Sequence, residues 1–165
     1  MEPKGGPLFA KESGMIRLST KGRYGTRLML NLARHYGNGN RTVILRDVST
    51  DEAISIRYLE QIVIPLKINR LVKSVRGAGG GYTLARNPEE IRLSEILHAL
   101  EGSCCLVECM EDPEFCDRIE TCPTYDIWKG ASDILKNYFN NILLSDIVAM
   151  AEKKEKKPKA KAKGR

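Results

Sequence analysis

Five cysteines, Cys104, Cys105, Cys109, Cys116 and Cys122, fall within nineteen consecutive residues of this 165-residue chain. Thiolates are nucleophiles and soft ligands, so this density points to metal binding, an iron–sulfur cluster or redox chemistry. Their number is odd, and the segment from Met1 to Gly14 lacks the apolar stretch of a secretion signal; both features disfavour a disulfide framework. The spacings are C-x3-C from Cys105, C-x6-C from Cys109 and C-x5-C from Cys116, without the C-x2-C knuckles of common zinc sites. His98 precedes the cluster on a helical pattern and His35 is remote, so we expect His98 to be structural rather than a ligand. Glu108, Glu111, Asp112, Asp117 and Glu120 are interleaved with the cysteines. Thiolates in such company repel one another unless a cation neutralises them, a need that an iron–sulfur cluster meets. Free thiols, a redox disulfide and zinc stay open as alternatives.

A second chemically capable set is basic. Residues 15–92 carry 14 Lys and Arg against 6 Asp and Glu, residues 93–150 carry 3 against 11, and residues 151–165 carry 8 against 2. A basic half suits a polyanion, and an acidic half suits a cation or metal cluster. Arg57, Glu60 and Gln61 lie on the polar side of a helical pattern, and their types suit base edges in a DNA major groove. Gln pairs with adenine, Arg with guanine, and a Glu carboxylate accepts from the cytosine amino group. Lys21, Arg23, Tyr24, Tyr58 and Arg76 suit phosphate or minor-groove contacts. The run Gly77-Ala78-Gly79-Gly80-Gly81 invites a nucleotide-binding reading, but G-x-G-x-x-G counted from Gly77 needs a glycine where Tyr82 stands, and no P-loop Gly-Lys-Ser or Gly-Lys-Thr occurs. We read these glycines as a hairpin tip, with Gly79 able to approach DNA closely, and expect no enzyme.

The elements that must position these residues follow from periodicity. Tyr24, Leu28, Leu32 and Tyr36 recur every four residues after Ser19 or Thr20, either able to cap a helix that Gly37-Asn38-Gly39-Asn40 ends. Val43 to Ala53 is compatible with a second, short helix. Ser55 is an N-cap candidate for a third, whose stripe is Leu59, Ile62, Val63 and Leu66. Pro65 should bend or end that helix. Leu71–Arg76 and Tyr82–Ala85 read as strands of a hairpin. Leu93, Ile96, Leu97 and Leu100 mark a helix that Gly102 stops, and Ile127, Ala131, Ile134, Tyr138 and Ile142 mark a long one from Thr124 to about Leu144. That long helix is too amphipathic to stand alone and is expected to pair across a two-fold axis. No run approaches the length of a membrane span, so a cytoplasmic protein without membrane contact is expected. The fold class expected is mainly α with a small β-hairpin wing, a winged helix-turn-helix plus a long dimerisation helix.

Three segments make the pattern specific: Ile16-Arg17-Leu18-Ser19-Thr20-Lys21-Gly22-Arg23-Tyr24, Ile54-Ser55-Ile56-Arg57-Tyr58-Leu59-Glu60-Gln61, and the stretch from Leu71 to Ala85 with its five-residue glycine-rich run. Together they resemble the signatures of the Rrf2 family of bacterial transcription regulators, over a likeness running from about Met15 to Ile147. The resemblance implies a homodimer that binds a double-stranded DNA operator with Ser55 to Lys67 as recognition helix, and Glu60 tuning which sequences are accepted. The cysteine loop resembles that of the IscR-like branch. That likeness implies a [2Fe-2S] cluster, with [4Fe-4S] as the alternative, held by Cys109, Cys116 and Cys122, and control of iron–sulfur cluster biogenesis genes. Some members place a histidine ligand three residues after the last cysteine, where this chain has Tyr125; the fourth ligand is left open among Cys104, Cys105, a carboxylate or a residue of the partner subunit. A thiol-redox or nitric-oxide-responsive regulator of the same fold is the alternative, and a cluster carrier a more distant one. The expected organisation is an extension over 1–14, a DNA-binding domain over 15–92, a helix and cluster-binding loop over 93–123, a dimerisation helix over 124–150 and a disordered Lys-rich tail over 151–165.

Overall fold

The computed structural model describes residues 17–36, 42–103 and 105–156. Six helices and one hairpin follow in the order α1 (Thr20–Tyr36), α2 (Leu45–Glu52), α3 (Ile56–Ile68), β1 (Val72–Val75), β2 (Gly81–Leu84), α4 (Leu93–Glu101), α5 (Pro123–Asn140) and α6 (Leu144–Glu155). The expected extension over 1–14, the glycine–asparagine run after α1 and Cys104 lie outside the described residues. No helix among those described is long and apolar enough to cross a membrane.

The core is aliphatic, as a chain with one Trp and three Phe requires. Leu28, Met29 and Leu32 of α1, Leu59, Ile62, Val63 and Leu66 of α3, and Ile96 and Leu100 of α4 are all buried in it. Helical spacing places each set on one face, and burying those faces against each other is the main stabilising contribution. Between α2 and α3 the chain turns at Ala53, which adopts the left-handed region at φ 52° and donates its N–H to the Ser49 carbonyl. Buried Ile54 anchors this turn, and Ser55 caps α3. The result is a helix-turn-helix followed by a wing.

The wing is antiparallel, with Val72 opposite Leu84 and Val75 opposite Gly81. Its tip requires glycine at Gly77 (φ 101°) and Gly79 (φ 80°), which occupy backbone regions that a side chain rarely tolerates. Val43, expected at the start of the second helix, instead pairs with Tyr82 through two 2.8 Å backbone bonds. Its β-branched side chain and those bonds add a third chain to the hairpin, and α2 starts two residues later.

Pro65 neither ends nor breaks α3, which runs on to Ile68; the missing donor falls in the last turns, where burial of Leu66 and neighbours offsets its cost. The long helix beyond the cysteines also does not continue to Leu144, nor do residues 124–150 form one element. α5 ends at Asn140, Arg92 and Leu143 form an antiparallel bridge, and Leu93 N–H to Ile142 O and Leu144 N–H to Ile91 O, both 2.9 Å, carry the chain back to the first domain. There α6 packs with Leu144 fully buried and Ile147 and Val148 against the core, and Arg34 of α1 reaches Glu155 at 2.6 Å. Residues 151–155, expected in a disordered tail, are therefore helical, because this apolar face carries α6 on to Glu155; residues 157–165 of that tail lie outside the described residues.

Candidate nucleic-acid interface and cysteine loop

The first turns of α1 and α3 meet through two tyrosines. Tyr24 and Tyr58 pack edge to face with ring centroids 5.9 Å apart and planes at 86°. The guanidinium groups of Arg27 and Arg23 lie 5.5 and 5.9 Å from the Tyr24 ring. Arg27 is fixed in turn by Glu52 at the end of α2, through its Nε to Oε2 at 2.7 Å and its Nη2 to the Glu52 carbonyl at 2.6 Å. Arg23 donates to Thr20 Oγ1 at 3.3 Å. This network locks the angle between the two helices that carry the candidate contacts. Neither Arg27 nor Glu52 was singled out from sequence; Arg27 lies three residues after Tyr24, a helical neighbour, whereas nothing local points to Glu52.

On α3, Ser55 Oγ accepts the Tyr58 N–H at 3.3 Å, beside that amide's 3.0 Å bond to the Ser55 carbonyl, and so caps the helix start. Arg57, Glu60 and Gln61 are all exposed on that helix, while Tyr58 and Tyr24 are half-buried against each other. Lys21 is half-buried and Arg23 exposed on the first turns of α1. Arg76 and Gly79 stand apart on the wing, both exposed, and the Gly79 carbonyl accepts from the Thr42 hydroxyl, which braces the tip. An exposed helix end bearing Arg, Glu and Gln, beside a cationic helix start and a braced basic hairpin, can offer donors and acceptors to a duplex groove and cations to its phosphates.

The segment from Gly102 to Cys122 links α4 to α5 through three short 3₁₀ turns, Glu108–Met110, Pro113–Phe115 and Ile119–Thr121. Ser132 of α5 pins it: its buried hydroxyl accepts the Leu106 N–H at 3.2 Å and faces Met110 Sδ at 3.5 Å. Cys105, Cys109, Cys116 and Cys122 are unbridged and half-buried. Cys122 stands at the N-cap of α5 with its sulfur 3.1 Å from Thr124 Oγ1. Hydrogen bonding by the Thr124 hydroxyl, then by the Tyr125 and Thr124 amides, with Arg118 nearby, outweighs desolvation and holds this thiol below the usual cysteine range. Glu108, Glu111, Asp112, Asp117 and Glu120 are exposed. His98 is exposed on α4, its carbonyl accepting the Gly102 N–H at 3.0 Å, and with Cys105, Met110 and Lys136 it lines a cavity of about 500 Å³ between α4 and α5.

The donor chemistry of the loop fits a thiophilic, positively charged group: three thiols, one of them acidified, on a segment rich in short turns. Among the described residues, however, no three thiol, imidazole or carboxylate groups already stand together as a metal site.

Comparison with known proteins bears on both halves. Residues 18–150 match the family described as "Rrf2: Iron-dependent Transcriptional regulator". The HTH-type transcriptional regulator IscR of Pectobacterium atrosepticum is 39% identical over 133 residues, which cover 81% of this chain and 79% of that protein. Among solved structures, T. potens IscR superposes with a TM-score of 0.69 at 34% identity, covering 91% of this chain and 95% of that one. CymR, described as the global cysteine regulator of B. subtilis, gives 0.66 at 35% identity, with 82% and 98% covered.

Proposed function

Because the chain belongs to the Rrf2 family of transcription regulators and is IscR-like, we propose that it is a homodimeric repressor or activator whose choice of operator is set by an iron–sulfur cluster on Cys109, Cys116 and Cys122. It is a DNA-binding regulator and not an enzyme. Bound to these thiols, a [2Fe-2S] or [4Fe-4S] cluster supplies a cationic, redox-active iron core. The chain's own residues do the rest. Cys122, whose pKa is lowered by hydrogen bonding from Thr124 and the amides at the start of α5, gives up its proton more readily than a free cysteine. Cys109 lies in one short turn and Cys116 directly after another, on a segment that can draw toward it, while Ser132 holds the near end of the loop on α5.

One observation carries this reading. The cysteines lie on the segment that joins α4, packed on the DNA-reading helices, to α5, which has an apolar face left exposed among the described residues. Ile127, Ile134 and Tyr138 are 61, 70 and 63% exposed at spacings of seven and four, which puts them on one stripe. Pairing of two such stripes about a two-fold axis would bury them and present two copies of α3 to the half-sites of a palindrome. Gathering the thiols therefore changes the tether between the dimer helix and the reading head. On α3, Arg57, Glu60 and Gln61 are assigned to base edges; Lys21, Arg23, Tyr24, Tyr58, Arg76 and the Gly79 backbone are assigned to phosphate or minor-groove contacts, with Ser55 fixing the helix start.

The test is equilibrium binding of cluster-loaded and cluster-free protein to one set of operator duplexes at fixed salt. The reading expects the rank order or ratio of affinities to change by about tenfold between the two forms. Equal affinities across every duplex would contradict it. A second reading, thiol sensing without metal, is favoured by the acidified Cys122 and the likeness to CymR. It expects the same change in affinity on thiol oxidation of an iron-free protein.

A further inference from the structure

The last residue of α4 touches the first residues of α1. Ser19 donates to Glu101 Oε1 twice, from its backbone N–H at 3.1 Å and from its hydroxyl at 2.6 Å, and the same hydroxyl accepts the Gly22 N–H at 3.2 Å. Ser19 is thus the N-cap of α1, and its capping oxygen is oriented by a carboxylate from 82 positions away. The two helices approach so closely that a Cβ on Gly22 would lie 2.1 Å from Glu101 Oε1, and one on Gly25 would lie 2.2 Å from Leu100 Cδ1. Both glycines are buried by this contact. A carboxylate at a helix N-terminus is also favoured by the helix dipole.

Glu101 is followed by Gly102, Ser103 and the cysteines, so the carboxylate sits where the loop leaves the folded body. On the other side of the contact are Lys21, Arg23 and Tyr24, on the next turn after Ser19. We infer that Glu101 is a positioning residue that couples the cysteine loop to the DNA-facing start of α1, with Ser19 as the hinge pin and Gly22 as the seat. The bonds are solvent-exposed, so their worth lies in registration of one helix against the other rather than in stability. A movement of the loop that rotates the end of α4 acts on the start of α1 through the two Ser19–Glu101 bonds and the packing of buried Leu100 against Gly25. The inference rests on the proposed link between loop and DNA, and not on what the cysteines hold.

Coupling is reciprocal, so DNA must alter the loop if the loop alters DNA binding. The experiment uses full-length, iron-free protein and a mixed-sequence duplex of about 40 base pairs at low salt, long enough to span two half-sites. Alkylation of Cys105 by iodoacetamide is followed by mass spectrometry with and without the duplex. In the wild type the duplex should change the rate about fivefold or more. Glu101→Gln, whose amide oxygen can accept both Ser19 bonds, should keep the response. Glu101→Ala should lose it while still binding the duplex, and Gly22→Ala, whose Cβ would displace the Glu101 carboxylate from Ser19, should lose it as well. Gly22→Ala also keeps the test open should Glu101→Ala fold poorly, since alanine favours the helix. An unchanged wild-type rate, or full responses in both alanine variants, would overturn the inference. Absence of iron and sulfide from native protein would overturn the cluster reading and leave this one standing.

Discussion

The placement of α6 has the sharpest energetic consequence. Leu144 is its first residue, is fully buried, and belongs to the same cluster as Leu28, Ile91 and Leu100. Truncating it to alanine removes three side-chain carbons from a packed site whose backbone is fixed by the Leu144 N–H to Ile91 O bond at 2.9 Å. Collapse around the void is therefore limited, and Leu144→Ala should cost about 3 kcal/mol, within the roughly 2–5 kcal/mol span of such changes. For a domain of this size that lowers Tm by about 10 °C. Met150 on the same helix is 54% exposed, so Met150→Ala should stay within about 0.5 kcal/mol of the wild type and serves as control. Urea unfolding followed by circular dichroism at two protein concentrations tenfold apart measures both. If α6 belongs to the monomer core, the difference between the variants is independent of concentration; if it were part of a dimer contact, the difference would grow on dilution. A Leu144→Ala cost below about 1 kcal/mol, or one that appears only on dilution, would refute the assignment of α6 to the reading domain.

Gln61→Ala and Arg57→Ala should relax sequence choice by about 1–3 kcal/mol at single base positions, whereas Lys21→Ala should weaken all duplexes alike and reduce the salt slope by about 0.9 per protomer, as read from binding isotherms at several salt concentrations. Glu95 is raised by burial but more strongly lowered by the Arg92 amide and by Arg86, whose Nη2 lies 2.5 Å from its Oε2. Its folded pKa thus lies below the unfolded 4.5, so it contributes stability above about pH 4.5 that is lost as pH falls through the lower folded value; Glu95→Gln should flatten urea-midpoint curves across that interval and change nothing in their shape above it. Thr124→Val removes the largest cause of Cys122 acidity, so the pH profile of Cys122 alkylation should move upward, and an unmoved profile would contradict the hydrogen-bond account.

Helices α3 and α4 were legible in the sequence because each has an apolar stripe with a cap or a stop beside it: Leu59, Ile62, Val63 and Leu66 behind Ser55, and Ile96, Leu97 and Leu100 before Gly102. The exposure of Arg57, Glu60 and Gln61 followed from the same period. The wing was legible from its glycines, though not its third chain at Val43, since a single residue bridge carries no pattern. Leu144, Ile147 and Val148 have helical spacing, but that spacing is the same whether the partner is the chain's own core or a second copy. Contacts such as the Arg92–Leu143 bridge distinguish them, and it joins positions about fifty residues apart. Pro65 does not end α3 because its intrinsic penalty is local while the burial that overrides it is tertiary. The Arg27–Glu52 and Ser19–Glu101 contacts are likewise long-range pairings that periodicity cannot reveal. Within the cysteine loop, residue types indicated soft-ligand chemistry, but the acidity of Cys122 emerged only with its position at the start of α5.

The central claim is that Cys109, Cys116 and Cys122 hold an iron–sulfur cluster, and anaerobic purification with iron and sulfide analysis and a visible absorption spectrum tests it most directly, beside a Cys109→Ser variant. The account predicts a brown protein with near-stoichiometric iron and sulfide whose colour is lost in the variant. A wild-type protein that stays colourless after reconstitution with iron and sulfide would contradict it.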